Sequence, residues 1–192
     1  MPTKVAIIYY SQTGTVESMA QRLAATAESL GAEVRLRAVG REGDDASATG
    51  DHPAQPTADD VVWADVVLFG TPTRFGNVAG RLKVFIDSLG GPWSRGELAD
   101  KVYAGFTSTQ TVHGGQESTL LNLYTTFHHF GGIIVSPGYT DGSKFVDGNP
   151  YGASHVTGGG NDIPLDDVAT TALDHLVTRA ITISRRLNGQ AA

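Results

Sequence analysis

The sequence predicts a three-layer α/β sandwich on a five-stranded parallel sheet of strand order 2-1-3-4-5, and three observations carry that reading. Short unbroken apolar runs at residues 5–10 and 66–70, as in strands buried on both faces, and a further strand at 102–108 that runs into small polar residues recur along the 192 residues. Between and after them lie stretches with apolar residues every three or four positions, so strands alternate with helices, and right-handed crossovers restrict the order. The third observation is glycine, 24 residues, well above the roughly 7% of average usage, as tight loops at strand ends require. One domain over residues 1–192 is expected, with a long loop at 40–57 and a glycine-rich insertion at 138–163.

The first strand, residues 5–10, runs straight into Ser11, Gln12, Thr13, Gly14 and Thr15 and then a helix marked by Val16, Met19, Ala20, Leu23, Ala24 and Ala27. That helix should stop at Leu30-Gly31, where glycine takes the left-handed cap. Residues 33–38 alternate polar and apolar, the signature of a half-exposed edge strand. Residues 40–57 have no period and read as a surface loop. The run 66–70 is a central strand, followed by T-P-T-R-F-G-N at 71–77 and a helix with Val78, Leu82, Phe85, Ile86 and Leu89 on one side. Gly90, Gly91, Pro92 and Trp93 are expected to break that helix and put an indole on a mobile connection. The strand 102–108 leads to T-S-T-Q-T-V-H-G-G, and a helix over 116–130 buries Leu120, Leu123, Tyr124 and Phe127 before His128-His129. Residues 133–135 read as the last strand. The closing helix carries Leu165, Val168, Ala169, Ala172, Leu176, Ala180, Ile183 and Leu187 up to Asn188-Gly189.

Composition bounds the function. A net charge of −6 without a Lys/Arg stripe disfavours nucleic acid. Zero cysteines exclude disulfides, thiol catalysis and iron–sulfur ligation. No run reaches the roughly 18 apolar residues of a membrane span, and no cleavable leader opens the chain, so a cytoplasmic location is expected. His128 and His129 point about 100° apart on a helix and lack a third ligand at helical spacing, so no metal site is expected.

The predicted strand order brings three polar loops to one crevice at the carboxyl ends of the strands, where open α/β sheets bind ligands. In the first, three hydroxyls, an amide and a glycine precede a helix N-terminus, whose unpaired N–H groups attract an anion. It lacks both the G-K-[ST] of a nucleotide P-loop and G-x-G-x-x-G, so a single terminal phosphate fits better than ATP or a dinucleotide. A plain turn capped by Ser and Thr is the alternative. In the second loop Pro72 stiffens the turn, Thr73 offers a hydroxyl, Arg74 a planar cation and Gly76 close backbone approach. With Thr107 to Gly115 beside them, these neutral donors suit a flat polar heterocycle. None of the residues 11–16, 71–77 or 107–116 is acidic.

Y-Y-S-x-T-G-T, F-G-T-P-T-R-F-G-N, G-G-P-W, G-G-Q-E at 114–117, H-H at 128–129 and P-Y-G-A at 150–153 together resemble the WrbA family, flavodoxin-like NAD(P)H:quinone oxidoreductases that bind FMN. The resemblance runs in order through nearly the whole chain. It implies a flavodoxin-like fold and a phosphate held by Ser11, Gln12, Thr13, Gly14, Thr15 and Val16. It places Thr73, Arg74 and Phe75 along the isoalloxazine, makes Thr71, Pro72, Gly76 and Asn77 of the same loop cofactor-binding too, and closes the other edge with Ser108, Thr109, Gln110, Thr111, Gly114 and Gly115. His129 is implied at the pyrimidine edge as the catalytic residue. Trp93, reaching across a subunit interface of a dimer or tetramer, and Tyr139 are implied on the substrate side. NADH or NADPH and a quinone would be the substrates.

A single-electron flavodoxin is the nearest rival. Such a carrier surrounds the reduced flavin with carboxylates that repel its charge; these loops hold none, and Arg74 favours full two-electron, ping-pong reduction. A non-catalytic FMN-binding or regulator-accessory module is the reading from another class. A phosphoacceptor receiver would need acidic residues where Tyr10-Ser11 and Gly70-Thr71 stand.

Overall fold

The structure, a computed structural model, describes residues 1–40 and 53–189; most of the expected 40–57 loop therefore lies outside the described residues. The elements are β1 (Lys4–Tyr10), α1 (Thr15–Ser29), β2 (Glu33–Val39), α2 (Ala58–Trp63), β3 (Val66–Arg74), β4 (Asn77–Val78), α3 (Gly80–Asp87), α4 (Gly90–Ser94), β5 (Val102–Thr109), α5 (Gln116–Phe130), β6 (Ile133–Ile134), α6 (Lys144–Asp147), β7 (Ala153–Val156) and α7 (Asp167–Leu187). The sheet runs β2-β1-β3-β5-β6, with β7 also on β5 and β4 on β3. Every pairing is parallel except β3 with β4. This is the flavodoxin-like α/β fold and the expected strand order.

Alternation along the strands builds two cores. Val5, Ile7 and Tyr9 of β1 pack with Met19, Leu23, Leu176 and Val177 under α1 and α7. Ala6, Ile8 and Tyr10 pack with Leu82, Phe85, Leu120 and Phe127 under α3 and α5. Phe127 stacks on Tyr103 and Phe69, with ring centroids 4.8 and 5.5 Å away. Helices thus cover both faces of the sheet.

Three expectations need correction. Residues 133–135 are not the last strand. The fifth position of the sheet is shared by β6, which pairs with Val102 and Tyr103, and β7, which pairs with residues 106–109 of β5. The glycine-rich segment 138–163 therefore splits this strand, contains α6, and returns to the sheet. Gly90, Gly91, Pro92 and Trp93 form the short helix α4 instead of a mobile connection, because proline is tolerated in a first helical turn. The buried face of α7 is Ala169, Ala172, Leu173, Leu176, Val177, Ala180, Ile181 and Ser184. Val168 and Leu187 lie outside it, exposed.

Candidate active site

Three chain segments that leave the carboxyl ends of β1, β3 and β5 enclose a cavity of about 560 Å³, and a fourth, following β7, completes it. At one end, β1 stops at Tyr10 because Ser11 and Gly14 turn the chain. Gly14 adopts φ 98°, a conformation that disfavours any side chain, and its N–H donates to Ser11 Oγ at 3.1 Å. Gln12 is held by the Tyr10 hydroxyl, which donates to its Oε1 at 2.5 Å. Gly14 is the N-cap of α1 and supplies no side-chain cap, so the N-cap residue itself satisfies none of the first-turn N–H groups of α1. Ser11, Gln12, Thr13 and Val16 line the cavity; Gly14 and Thr15 shape the turn behind them.

The second segment is no loose loop. β3 continues through Thr71, Pro72, Thr73 and Arg74 and folds back as β4, with Thr73 opposite Val78 and Arg74 opposite Asn77. Phe75 and Gly76 form the two-residue tip, both with positive φ (55° and 76°), as a primed hairpin turn demands. The turn leaves the Phe75 ring fully exposed beside the cavity. Thr71 is buried in the frame: its Oγ accepts from Ala79 N–H at 3.0 Å, and its carbonyl accepts from the Thr107 hydroxyl at 2.7 Å. Thr73 Oγ is shared with Thr119 Oγ at 2.7 Å and accepts from Gly76 N–H. Gly76 and Asn77 are fastened to α5 through Asn122. Arg74 donates to the Thr73 carbonyl at 2.9 Å; among the described residues it has no carboxylate partner.

The third segment closes against the second. A Cβ on Gly115 (φ 99°) would lie 2.9 Å from Gly76 Cα, and one on Gly114 would lie 2.8 Å from Thr109 Cβ; only glycine lets these loops touch. Ser108, Thr109, Gln110, Thr111 and Gly114 line the cavity. Gln116 Nε2 donates to the Thr111 and Val112 carbonyls, and its buried Oε1 has no hydrogen-bond partner among the described residues.

The fourth wall, Thr157 and Asn161, was not singled out from the sequence. Thr157 N–H donates to the Thr109 carbonyl at 2.8 Å, extending the β5–β7 register by one residue. The signal was the length of the segment 138–163, which predicted a functional role but not which residues carry it.

Trp93 and His129 are not at this cavity. They share a second, shallower pocket with Lys83, Ile86, Asp87 and Phe130, where Trp93 Nε1 donates to the His129 carbonyl at 2.7 Å. The 13 residues between Gln116 and His129 span roughly 20 Å of helix at 1.5 Å each. The end of α5 adjoins the start of β5, through Asp100 N–H to the Gly131 carbonyl, so His129 lies at the sheet's opposite edge. His128 is also exposed there. Tyr139 packs against Phe145, with tilted rings 4.9 Å apart, and donates to the Gly148 carbonyl, outside the cavity lining. Among the described residues no group of acidic or histidine side chains could hold a metal ion, and no helix is long and apolar enough to cross a membrane.

The cavity fits FMN on its own features: a helix N-terminus without a side-chain cap and hydroxyls at one end, an exposed aromatic ring and hairpin along its length, neutral amides at the other end, and, among the described residues, no carboxylate in its lining. Residues 3–145 match the family of NADPH-dependent FMN reductases. A Deinococcus radiodurans protein named NAD(P)H dehydrogenase (quinone) is 43% identical over 98% of each chain. A Sinorhizobium fredii protein of the same name is 42% identical, covering 81% of this chain and 84% of its own. Among solved structures, the flavodoxin WrbA-like protein from Agrobacterium tumefaciens superposes with a TM-score of 0.74 at 23% identity, over 96% of this chain and 98% of that one.

Proposed function

We propose, from the premise that this chain belongs to the NADPH-dependent FMN reductase family, that it is an NAD(P)H:quinone oxidoreductase. The observation that carries this is a cavity lined, among the described residues, by no carboxylate and with a helix N-terminus at one end. When bound, FMN supplies the two-electron relay, taking a hydride equivalent from the nicotinamide and delivering two electrons and their protons to the quinone.

The protein's part is binding and electrostatics. Ser11, Thr13 and the first-turn N–H groups of α1 hold the phosphate through donors and the helix dipole, on a turn shaped by Gly14 and Thr15. Thr73, fixed by Thr119, and the Arg74 and Phe75 hairpin form one long wall, and Ser108 to Thr111 with Gly114 form the facing one. Because no carboxylate among the described residues lines the cavity, none of its walls repels added negative charge on the ring, and the Arg74 guanidinium attracts it. That balance favours a two-electron enzyme over a one-electron carrier. Phe75 leaves one ring face open to a flat partner, so nicotinamide and quinone use the same space in turn.

Trp93 and His129 reach such a cavity only from another copy of the chain, being at the far edge of their own sheet. The exposed indole and imidazole would cover the open face and the pyrimidine edge of a neighbour's ring, in a dimer or tetramer. Tyr139, away from the cavity, would also require a neighbour.

The test is anaerobic stopped-flow absorbance of FMN-loaded protein mixed with NADH or NADPH, then with benzoquinone. Rapid bleaching of the flavin band followed by rapid return is the expected result. Bound flavin left oxidised by both nicotinamides would sink the enzyme reading in favour of a carrier.

A further inference from the structure

We infer that Asn161, in the turn after β7, is the hydrogen-bond donor to the polar end of the flavin ring and raises the cofactor's reduction potential. The inference rests on the FMN reading above and adds to it a residue outside the three expected loops.

Position comes first. Ser11 ends β1, and Thr157 follows β7; in the order β1-β3-β5-β7 these are three strand spacings apart, roughly 14 Å. A ligand anchored by its phosphate at residues 11–15 and lying along the cavity must present its far end to Thr157 and Asn161, which line it there. Of the two ends of the isoalloxazine, one is a dimethylbenzene with no hydrogen-bonding atoms. The other is a pyrimidinedione with two carbonyls. An amide matches only the second.

Orientation follows from the hydrogen bonds. The turn is tied to the third loop by Thr157 N–H to the Thr109 carbonyl, and closes on itself through Asn161 N–H to the Gly158 carbonyl and Ile163 N–H to the Thr157 carbonyl. Asn161 holds φ 54°, which asparagine tolerates better than most residues. The Thr157 hydroxyl lies within hydrogen-bond distance of the Thr109 carbonyl (3.1 Å), the Gly158 carbonyl (3.3 Å) and Asn161 Oδ1 (3.0 Å); the two carbonyls already accept from the Thr157 and Asn161 N–H groups, so its one proton goes to Asn161 Oδ1, the shortest of the three. This occupies the acceptor side of the amide and leaves Nδ2 without a partner among the described residues. The free end of Asn161 is therefore a donor, held by a buried threonine.

Two-electron reduction places negative charge on the pyrimidine end of the flavin. A donor there binds the reduced form more strongly than the oxidised form, because hydrogen bonds to charged acceptors are roughly twice as strong as neutral ones. The potential reads that ratio of affinities, so a residue that merely shapes the pocket, and helps both forms equally, leaves it unchanged.

The experiment measures the FMN midpoint potential of the holoprotein by equilibration with a reference dye, in wild type, Asn161→Gly and Asn161→Asp. Glycine keeps the positive φ and removes the donor; aspartate keeps size and φ but presents a carboxylate oxygen. Asn161→Gly is expected to lower the preference for reduced over oxidised flavin about tenfold, which is about 30 mV for a two-electron couple. Asn161→Asp is expected to lower it further, by repulsion. Potentials equal to wild type in both variants, with FMN still bound, would overturn the assignment and leave the FMN reading standing. A wild-type protein that takes up no FMN in titration would overturn both.

Discussion

Gly14 and Phe75 both occupy the left-handed region of backbone space, for different reasons. At Gly14 (φ 98°) the turn from β1 into α1 needs a residue without a side chain, although open space surrounds the position of its missing Cβ. Gly14→Ala therefore isolates backbone strain, about 1–2 kcal/mol, and should weaken FMN roughly tenfold or more in a fluorescence titration. Gly14→Glu adds a carboxylate to the phosphate loop and should abolish binding. Equal affinities for alanine and glutamate variants would show that the loop does not face an anion. This glycine was legible in the sequence because a strand, a small-residue loop and a helical period meet there. Phe75 was not legible as a hairpin tip, since a bulky aromatic at φ 55° is disfavoured locally. The β3–β4 ladder and the bonds from Thr73 and Asn122 impose it, and their partners lie more than 40 residues away.

At the scale of elements, apolar runs placed β1, β3 and β5, and the 3.6-residue period placed α5 with the bounds and buried face that the structure has. The closing helix was placed, but its buried face was rotated: positions three and four apart admit two overlapping stripes, and only packing on α1 selects between them. The split fifth strand was illegible because β7 is four residues whose pairing depends on the distant end of β5. What fixes the return to the sheet is Lys144, fully buried, whose Nζ contacts Asp147 and donates to the Gly152 carbonyl at 3.2 Å. Burial lowers the lysine's pKa, and the carboxylate of Asp147 opposes that shift. Asp147→Ala leaves a buried cation without its counter-charge and should cost about 3–5 kcal/mol in urea unfolding. Lys144→Met in the same background should recover most of that loss. If the double variant is no more stable than Asp147→Ala, the pair is not what holds this segment.

For the whole molecule, the strand order fixes one cavity at the carboxyl edge of the sheet and puts Trp93 and His129 at the other edge. The resemblance in sequence marked all three loops and these two residues as one site and put Trp93 across a subunit interface, but it did not assign His129 to a second copy. A chain whose phosphate loop is intact and a chain whose indole and imidazole are intact should therefore complement each other. Gly14→Glu and the double variant Trp93→Ala/His129→Ala are each expected to be nearly inactive as pure oligomers. Co-expressed in equal amounts, with free assortment into dimers or tetramers, they give about a quarter of sites with both parts wild type, since each site draws its loop and its cover from two different chains. Quinone reductase activity near that fraction of wild type, measured on tagged hetero-oligomers, is the expected result. Residues serving the cavity of their own chain would give mixed oligomers in which every site lacks one part, and activity would stay at the level of the pure variants.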